Sequence, residues 1–345
     1  MTPADDAPPP DRRPPERTSP ERTPPDLAAR PAVSHPAADP AAASAPAKTP
    51  RFAGNSLGPF KGENLGLFLM VAAVFLFTIM DVIAKDLTSR HDPVMVAWAR
   101  YASQFGWALV LLAPWLRTLA RTPYLKLQLL RSTLMFGATL SFFIALSYMP
   151  IADAVAVFEV APLIITALAF FILKEKVGPR RWTGVAIGFV GALIIIRPGS
   201  DVFTVASLLP MVAAFCFACF SIVTRFLGDK ENPWTSFLYS AVVGTVAASL
   251  ALPFVWSTPT KFDAGVMALF GLLGGAGQFL LILALRHASA SAIAPFSYMG
   301  LVFATLWGWL VFSEFPDAWT ISGATLIVSA GLYVWWRERV RATGA

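Results

Sequence analysis

Residues 145–199 read ALSYMPIADAVAVFEVAPLIITALAFFILKEKVGPRRWTGVAIGFVGALIIIRPG. Two apolar runs, 151–173 and 179–196, are parted only by the charged stretch KEKVGPRR, and the second ends on Arg197-Pro198-Gly199. A helix of ~20 apolar residues, rising ~1.5 Å each, covers the ~30 Å of hydrocarbon in a bilayer. Similar runs lie on either side, at 64–87, 94–115, 127–149, 203–226, 235–256, 264–285, 289–312 and 316–336. Ten spans are therefore expected. Hydrophobic residues make up 56% of the 345 residues and charged residues 14%, against about 45–50% and about 25% in a soluble domain. So little polar surface makes lipid the natural solvent.

Residues 1–60 differ in kind. Proline recurs every few positions, aromatics are nearly absent, and acidic and basic residues alternate. Such a segment cannot bury enough apolar surface to offset the entropy of ordering, so a disordered Pro/Ala-rich tail is expected. It lacks the apolar core of a cleavable signal, which leaves the first span as the insertion signal.

Basic residues alternate with loop parity. Arg117, Arg121, Lys126 and Arg131 follow span two; Lys174, Lys176, Arg180 and Arg181 follow span four. Arg225 and Lys230 follow span six, Arg286 span eight, and Arg337, Arg339 and Arg341 span ten. The intervening loops hold Arg90, Arg197 and Lys261, apart from Lys85 near the end of span one. The positive-inside rule then places both termini in the cytoplasm. The net charge of +6 is scattered among these loops and offers no face to track nucleic acid. Cys216 and Cys219 lie in an apolar run, and His35, His91 and His287 lie in the tail or at helix ends. No metal site or cofactor is expected from that donor set.

The chain also repeats itself. FTIMDVIAKDL (77–87) lies over FACFSIVTRFL (217–227), setting Phe77 on Phe217 and Lys85 on Arg225; Pro93 then falls on Pro233. One residue is lost later, so that Ala145–Leu146 meets Ala284–Leu285, Glu175 meets Glu314, and Gly184 meets Gly323. Each copy, 64–197 and 203–337, holds five spans. An odd number of crossings turns the second copy upside down relative to the first. The expected fold is an all-α integral membrane protein of ten transmembrane helices in two inverted five-helix repeats, a device of secondary transporters.

Residues 145–199 resemble the fourth and fifth spans of EamA-type members of the drug/metabolite transporter superfamily. ALRHASASAIAPFSYMGLVFATLWGWLVFSEFPDAWTISGATLIVSAG (284–331) follows the same pattern more loosely. DPVMVAWARY (92–101) is similar to the start of the family's second span, with Arg100 on its usual arginine. The resemblance covers everything after residue 60. It implies two EamA repeats in a bacterial inner membrane and a small-molecule substrate: an amino acid, a vitamin such as riboflavin, a nucleoside-like compound or S-adenosylmethionine. Glu159 in span four departs from the pattern.

A charge at mid-membrane costs at least ~2.5–3.5 kcal/mol, so ionisable residues there are functional candidates. Asp81, Arg100 and Glu159 sit roughly 9–12 Å below the external surface by helical rise. Their repeat partners, Ser221, Ser240 and Tyr298, fall in the cytoplasmic half. The expectation is a charged outer cluster and an inner hydroxyl cluster with substrate between them. Arg100 would hold a carboxylate or phosphate, and Asp81 or Glu159 an amine or coupling proton. The alternative is an Asp81–Arg100 ion pair that only locks two helices. Gln278, Trp98, Tyr101 and Phe296 are cavity or packing residues. Lys85 and Arg225 are gating positions or headgroup anchors. Pro162 and Pro295 can bend spans four and nine. Gly184/Gly188 and Gly271/Gly275 permit close helix contact within a monomer or a weak homodimer. Competing readings are a channel, a scaffold protein or a membrane-embedded enzyme. No His-Glu-x-x-His, nucleophile elbow or phosphate-binding loop is present to support an enzyme or an ATP-driven pump.

Overall fold

The same device opens two helices of the bundle. The Asp92 carboxylate accepts a hydrogen bond from the Val94 N–H at 2.8 Å, with Pro93 at the first helical position. Asn232 accepts likewise from the Trp234 N–H at 3.0 Å, with Pro233 after it. Each cap satisfies an amide that a helix start leaves open, and proline fits where its missing N–H costs nothing. These two sites are in register in the repeat.

The structure, a computed structural model, describes residues 63–172, 179–200, 204–288 and 296–342. The tail 1–60, the loop carrying Glu175, and Pro295 lie outside the described residues. The described residues form α1 (Glu63–Thr88), α2 (Pro93–Leu112), α3 (Leu125–Leu146), α4 (Ile151–Ile172) and α5 (Pro179–Ile196). The second half supplies α6 (Leu209–Leu227), α7 (Pro233–Val255), α8 (Lys261–His287), α9 (Met299–Phe312) and α10 (Ala318–Ala342). No strand occurs among the described residues. Seven of these helices are long and apolar enough to cross a membrane. Helices α5 and α9 are shorter apolar segments. Helix α2 has 20 residues, and its apolar run is interrupted by the buried Arg100 and Gln104. Together they fill the ten spans read from the sequence.

Packing relates the halves by exchange. Helix α1 lies on α8, and its counterpart α6 lies on α3; α2 lies on α8, and α7 on α3. Helix α4 meets α6 as α9 meets α1, while α2 pairs with α7 and α5 with α10. Swapping the halves sends this set of neighbours onto itself, as an approximate two-fold axis requires. The α5–α10 contact is made through facing glycines. A Cβ on Gly191 would lie 2.8 Å from the Gly323 carbonyl oxygen, and one on Gly323 would lie 2.5 Å from that of Gly191. Gly184 faces Val334 of α10, and Gly271 faces Ser103 of α2, so both glycine pairs serve contacts within the chain.

Two sets of helix ends separate. Lys85, the Met149 carbonyl and Glu314 meet on one face, which also holds Arg197 with Asp317 and His91 with Ser257 and Asp263. Thr122 with Glu231, and Tyr239 with the Ala120 carbonyl, mark the opposite face. Large side chains such as Val110, Leu250, Phe254 and Leu310 point away from the bundle and stay exposed. A lipid environment accepts that surface at no cost, as water would not.

Candidate substrate site

Glu159 interrupts α4. The helix runs Ile151–Phe158, turns at Glu159–Val160, and resumes as Ala161–Ile172. Pro162 has no N–H to return to the Phe158 carbonyl, so the ladder fails where the sequence places proline. The break turns the Glu159 side chain into a cavity of about 930 Å³ of empty space, its mouth included. Helices α1, α3 and α4 line most of it, with Arg100 from α2, Phe217 from α6, Leu281 from α8 and Gly300 from α9. Along α1 the lining runs from Met70 to Asp81, a rise of about 16 Å that takes in the helix centre.

Asp81, Arg100 and Glu159 all line this one cavity. Glu159 Oε2 accepts from the Ser297 hydroxyl at 3.2 Å, and a Cβ on Gly300 would lie 3.1 Å from its other oxygen. Arg100 is fully buried; its Nη1 donates to Thr139 Oγ1 at 2.9 Å, and its guanidinium lies 4.4 Å from the Tyr101 ring centroid. Arg100 Nε and Nη2 have no hydrogen-bond partner. The Arg100 guanidinium is therefore hydrogen-bonded to a hydroxyl and not to Asp81, so the alternative reading, a locking ion pair, has no hydrogen bond behind it. Apart from the Thr78, Thr139 and Ser297 hydroxyls the remaining wall is apolar, with Phe77, Phe142, Phe143, Phe158 and Phe217 most prominent. Phe158 links two of its neighbours, 5.5 Å from Phe142 and 5.4 Å from Phe217 between centroids.

Other expected residues lie elsewhere. Ser221 donates to the Phe217 carbonyl one turn back at 2.8 Å. Ser240 donates to the Ser236 carbonyl, and the buried Tyr298 hydroxyl packs against Gly331. No hydrogen bond joins these three hydroxyls. Short hydroxyl side chains in apolar helices satisfy themselves on carbonyls of their own turn. Gln278 Oε1 accepts from Gln104 Nε2 at 3.3 Å, between α8 and α2. Trp98 donates to Ser249 Oγ at 3.0 Å and stands against Trp256, tying α2 to α7. Neither lines the cavity.

Lys85 does not reach out to headgroups. It is 13% exposed, donates to Glu314 Oε2 at 2.8 Å and to the Met149 carbonyl at 3.0 Å, and lies over the Phe312 ring. It joins α1, the α3–α4 turn and the α9–α10 link one turn beyond Asp81. Arg225 occupies the matching last turn of α6.

Arg131 is a correction. Grouped by sequence with the cytoplasmic anchors, it is instead fully buried inside the bundle. Its Nε donates to Thr224 Oγ1 at 2.9 Å, and its Nη1 donates to the Ser236 carbonyl at 3.1 Å and to Ser240 Oγ at 3.0 Å. Phe220 lies under its guanidinium at 4.5 Å, and Nη2 has no hydrogen-bond partner. Depth was the signal to follow: Arg131 is the seventh residue of α3, about 9 Å along the helix.

Two five-helix halves related by exchange, packed around a buried cavity lined by ionisable groups, define an inverted-repeat membrane transporter. The EamA-like transporter family model matches residues 64–197 and again 204–336, and the chain belongs to that family. It is 29% identical over 283 residues to an S-adenosylmethionine uptake transporter of Rickettsia bellii, covering 81% of this chain and 96% of that protein. It is 33% identical over 282 residues to a riboflavin transporter of Rhizobium johnstonii, covering 80% and 93%. A crystal structure with 18% identity superposes with a TM-score of 0.58, covering 79% of this chain and 97% of the other, which shows the shared fold. Family and relatives are transporters, not enzymes.

Proposed function

We propose that this protein is a secondary-active carrier in a bacterial inner membrane, with both termini cytoplasmic, that moves a zwitterionic metabolite bearing a flat ring by alternating access. The observation that carries the reading is the meeting of Asp81, Arg100 and Glu159 in one largely apolar cavity, with two guanidinium nitrogens of Arg100 unpartnered. A buried charge without a counter-ion is costly. A substrate carboxylate or phosphate at Arg100 removes that cost on binding. Asp81 and Glu159 receive the substrate cation or the coupling proton, and Phe77, Phe142, Phe158 and Phe217 flank the ring.

The relatives named for S-adenosylmethionine and for riboflavin both handle a heteroaromatic compound. Paired carboxylates and a guanidinium favour the charged one of the two. The cavity lining ends at Asp81, beneath the Lys85–Glu314 pair, and extends the other way as far as Met70. On this reading the Glu314 face is external and closed, and the cavity belongs to a cytoplasm-facing state. Reconstitution into liposomes tests it: labelled S-adenosylmethionine should enter saturably and faster into vesicles preloaded with the unlabelled compound. Non-saturable flux without counter-flow would favour a channel. No flux of S-adenosylmethionine alongside saturable riboflavin exchange would overturn the zwitterion preference.

A further inference from the structure

Exchange of the halves sends α1, α2, α3 and α8 onto α6, α7, α8 and α3. The Arg100 guanidinium lies where α2 meets Thr139 of α3, Gly274 of α8 and, at the same glycine, Met80 of α1. Its image is a position bounded by α7, α8, α3 and α6. That place is not empty. Arg131, coming from α3, puts its guanidinium there, on Ser236 and Ser240 of α7 and Thr224 and Phe220 of α6. Ser240 is the residue in repeat register with Arg100, while Arg131, at the offset that sets Ala145 on Ala284 in the same helix, falls on Phe270. The sequence repeat therefore hides the match: a guanidinium recurs in space although the helix that supplies it changes.

The two surroundings share three features, although Arg131 Nε is held by Thr224 while Arg100 Nε has no hydrogen-bond partner. Each guanidinium lies over one aromatic ring, Tyr101 at 4.4 Å or Phe220 at 4.5 Å. Each gives Nη1 to a hydroxyl, Thr139 at 2.9 Å or Ser240 at 3.0 Å. Each leaves Nη2 without a hydrogen-bond partner, and both side chains are fully buried. Arg100 lies about 10 Å along α2 from the Glu314 face, and Arg131 about 9 Å along α3 from the Glu231 face. Helix packing alone gives no reason to hold two guanidinium groups inside hydrocarbon with open donors. An anionic ligand that visits each in turn does.

We infer that Arg131 is the anion-binding group of the opposite, outward-facing state, taking the substrate carboxylate or phosphate that Arg100 takes in the state described here. The inference rests on the carrier reading above. In an inverted repeat the outward cavity is the image of the inward one. An inward cavity that reaches past the midplane to Arg100 implies an outward one that reaches past it to Arg131. The substrate's anionic group is then met by a guanidinium at the deep end of either cavity.

The labelling arm of the test needs no substrate, and its counter-flow arm uses labelled S-adenosylmethionine. In a C216S/C219S chain in sealed right-side-out vesicles, Ser240→Cys and, separately, Thr224→Cys place a thiol beside Arg131, and E314Q releases the Lys85 contact to populate the outward state. Each thiol is then reacted with methanethiosulfonates of opposite charge, sulfonatoethyl and trimethylammonioethyl. The inference expects reaction from outside that is at least tenfold faster for the anionic reagent, a preference lost in R131Q and kept in R131K. Equal rates for the two reagents, or no reaction at either thiol while counter-flow is intact, overturn it. Counter-flow of the unmodified chain, run beside these, separates the two levels. Its absence counts against the carrier reading, whereas intact counter-flow with a charge-indifferent thiol counts against Arg131 alone.

Discussion

The two halves share a backbone but not the side chains at matched positions. Helix order, the Asp92/Asn232 caps and the exchange of neighbours repeat across them, whereas Asp81 becomes Ser221, Arg100 becomes Ser240 and Glu159 becomes Tyr298. A repeated backbone offers two packings of nearly equal energy, which is what a carrier must exchange. Unequal side chains decide what is bound and how firmly each packing closes. Fold symmetry and substrate chemistry are thus carried by different residues, and each can be perturbed without the other.

The largest effect is expected where the halves differ most. Arg100→Gln should leave expression and melting temperature near normal yet weaken substrate binding by about 100-fold, since a desolvated charge partner contributes about 2–5 kcal/mol. Equal affinity in a thermal-shift titration would make Arg100 a packing residue. Next comes the contact where the halves meet. Gly191→Leu drives a side chain into the Gly323 backbone, and overpacking of that kind costs roughly 1–3 kcal/mol. Gly106→Leu, with nothing within 4 Å of its Cβ, serves as the control. Comparable melting temperatures for the two would show that α5 and α10 are not held this close. A smaller shift is expected from Lys85→Gln. Loss of a part-buried ion pair of about 1 kcal/mol moves a two-state population roughly fivefold. External thiol labelling near the cavity should rise accordingly, and an unchanged rate would remove Lys85 from closure. Smallest are the caps: Asp92→Ala and Asn232→Ala should each cost about 1 kcal/mol. Unequal losses would break the equivalence of the halves.

Much of the fold could be read from apolar run length and turn residues, because lipid forces backbone groups to bond within their own helix. The repeat was legible for the same reason: Pro93/Pro233 and Gly184/Gly323 do backbone work that either half needs. Pro162 marked the break in α4. What the sequence did not disclose depends on which side chains meet. Ser221 and Tyr298 are expected beside Ser240, yet Ser221 bonds back to its own helix and the buried Tyr298 hydroxyl has no hydrogen-bond partner. Lys85 could not be assigned to Glu314, since 229 residues separate them. Arg131 was lost among the basic neighbours Arg117, Arg121 and Lys126, where counting loop charges outweighed counting helical turns.

Closure at the Glu314 face, alternating with closure at the other, is the claim on which substrate binding, Arg100 and Arg131 all depend. Lys85→Cys with Glu314→Cys, in a chain lacking Cys216 and Cys219, is bridged by a bifunctional methanethiosulfonate, whose spacer replaces the reach of the two longer side chains and holds that closure covalently. The account predicts that counter-flow in proteoliposomes stops on cross-linking and returns with reductant. Counter-flow at the full rate in cross-linked protein would contradict it.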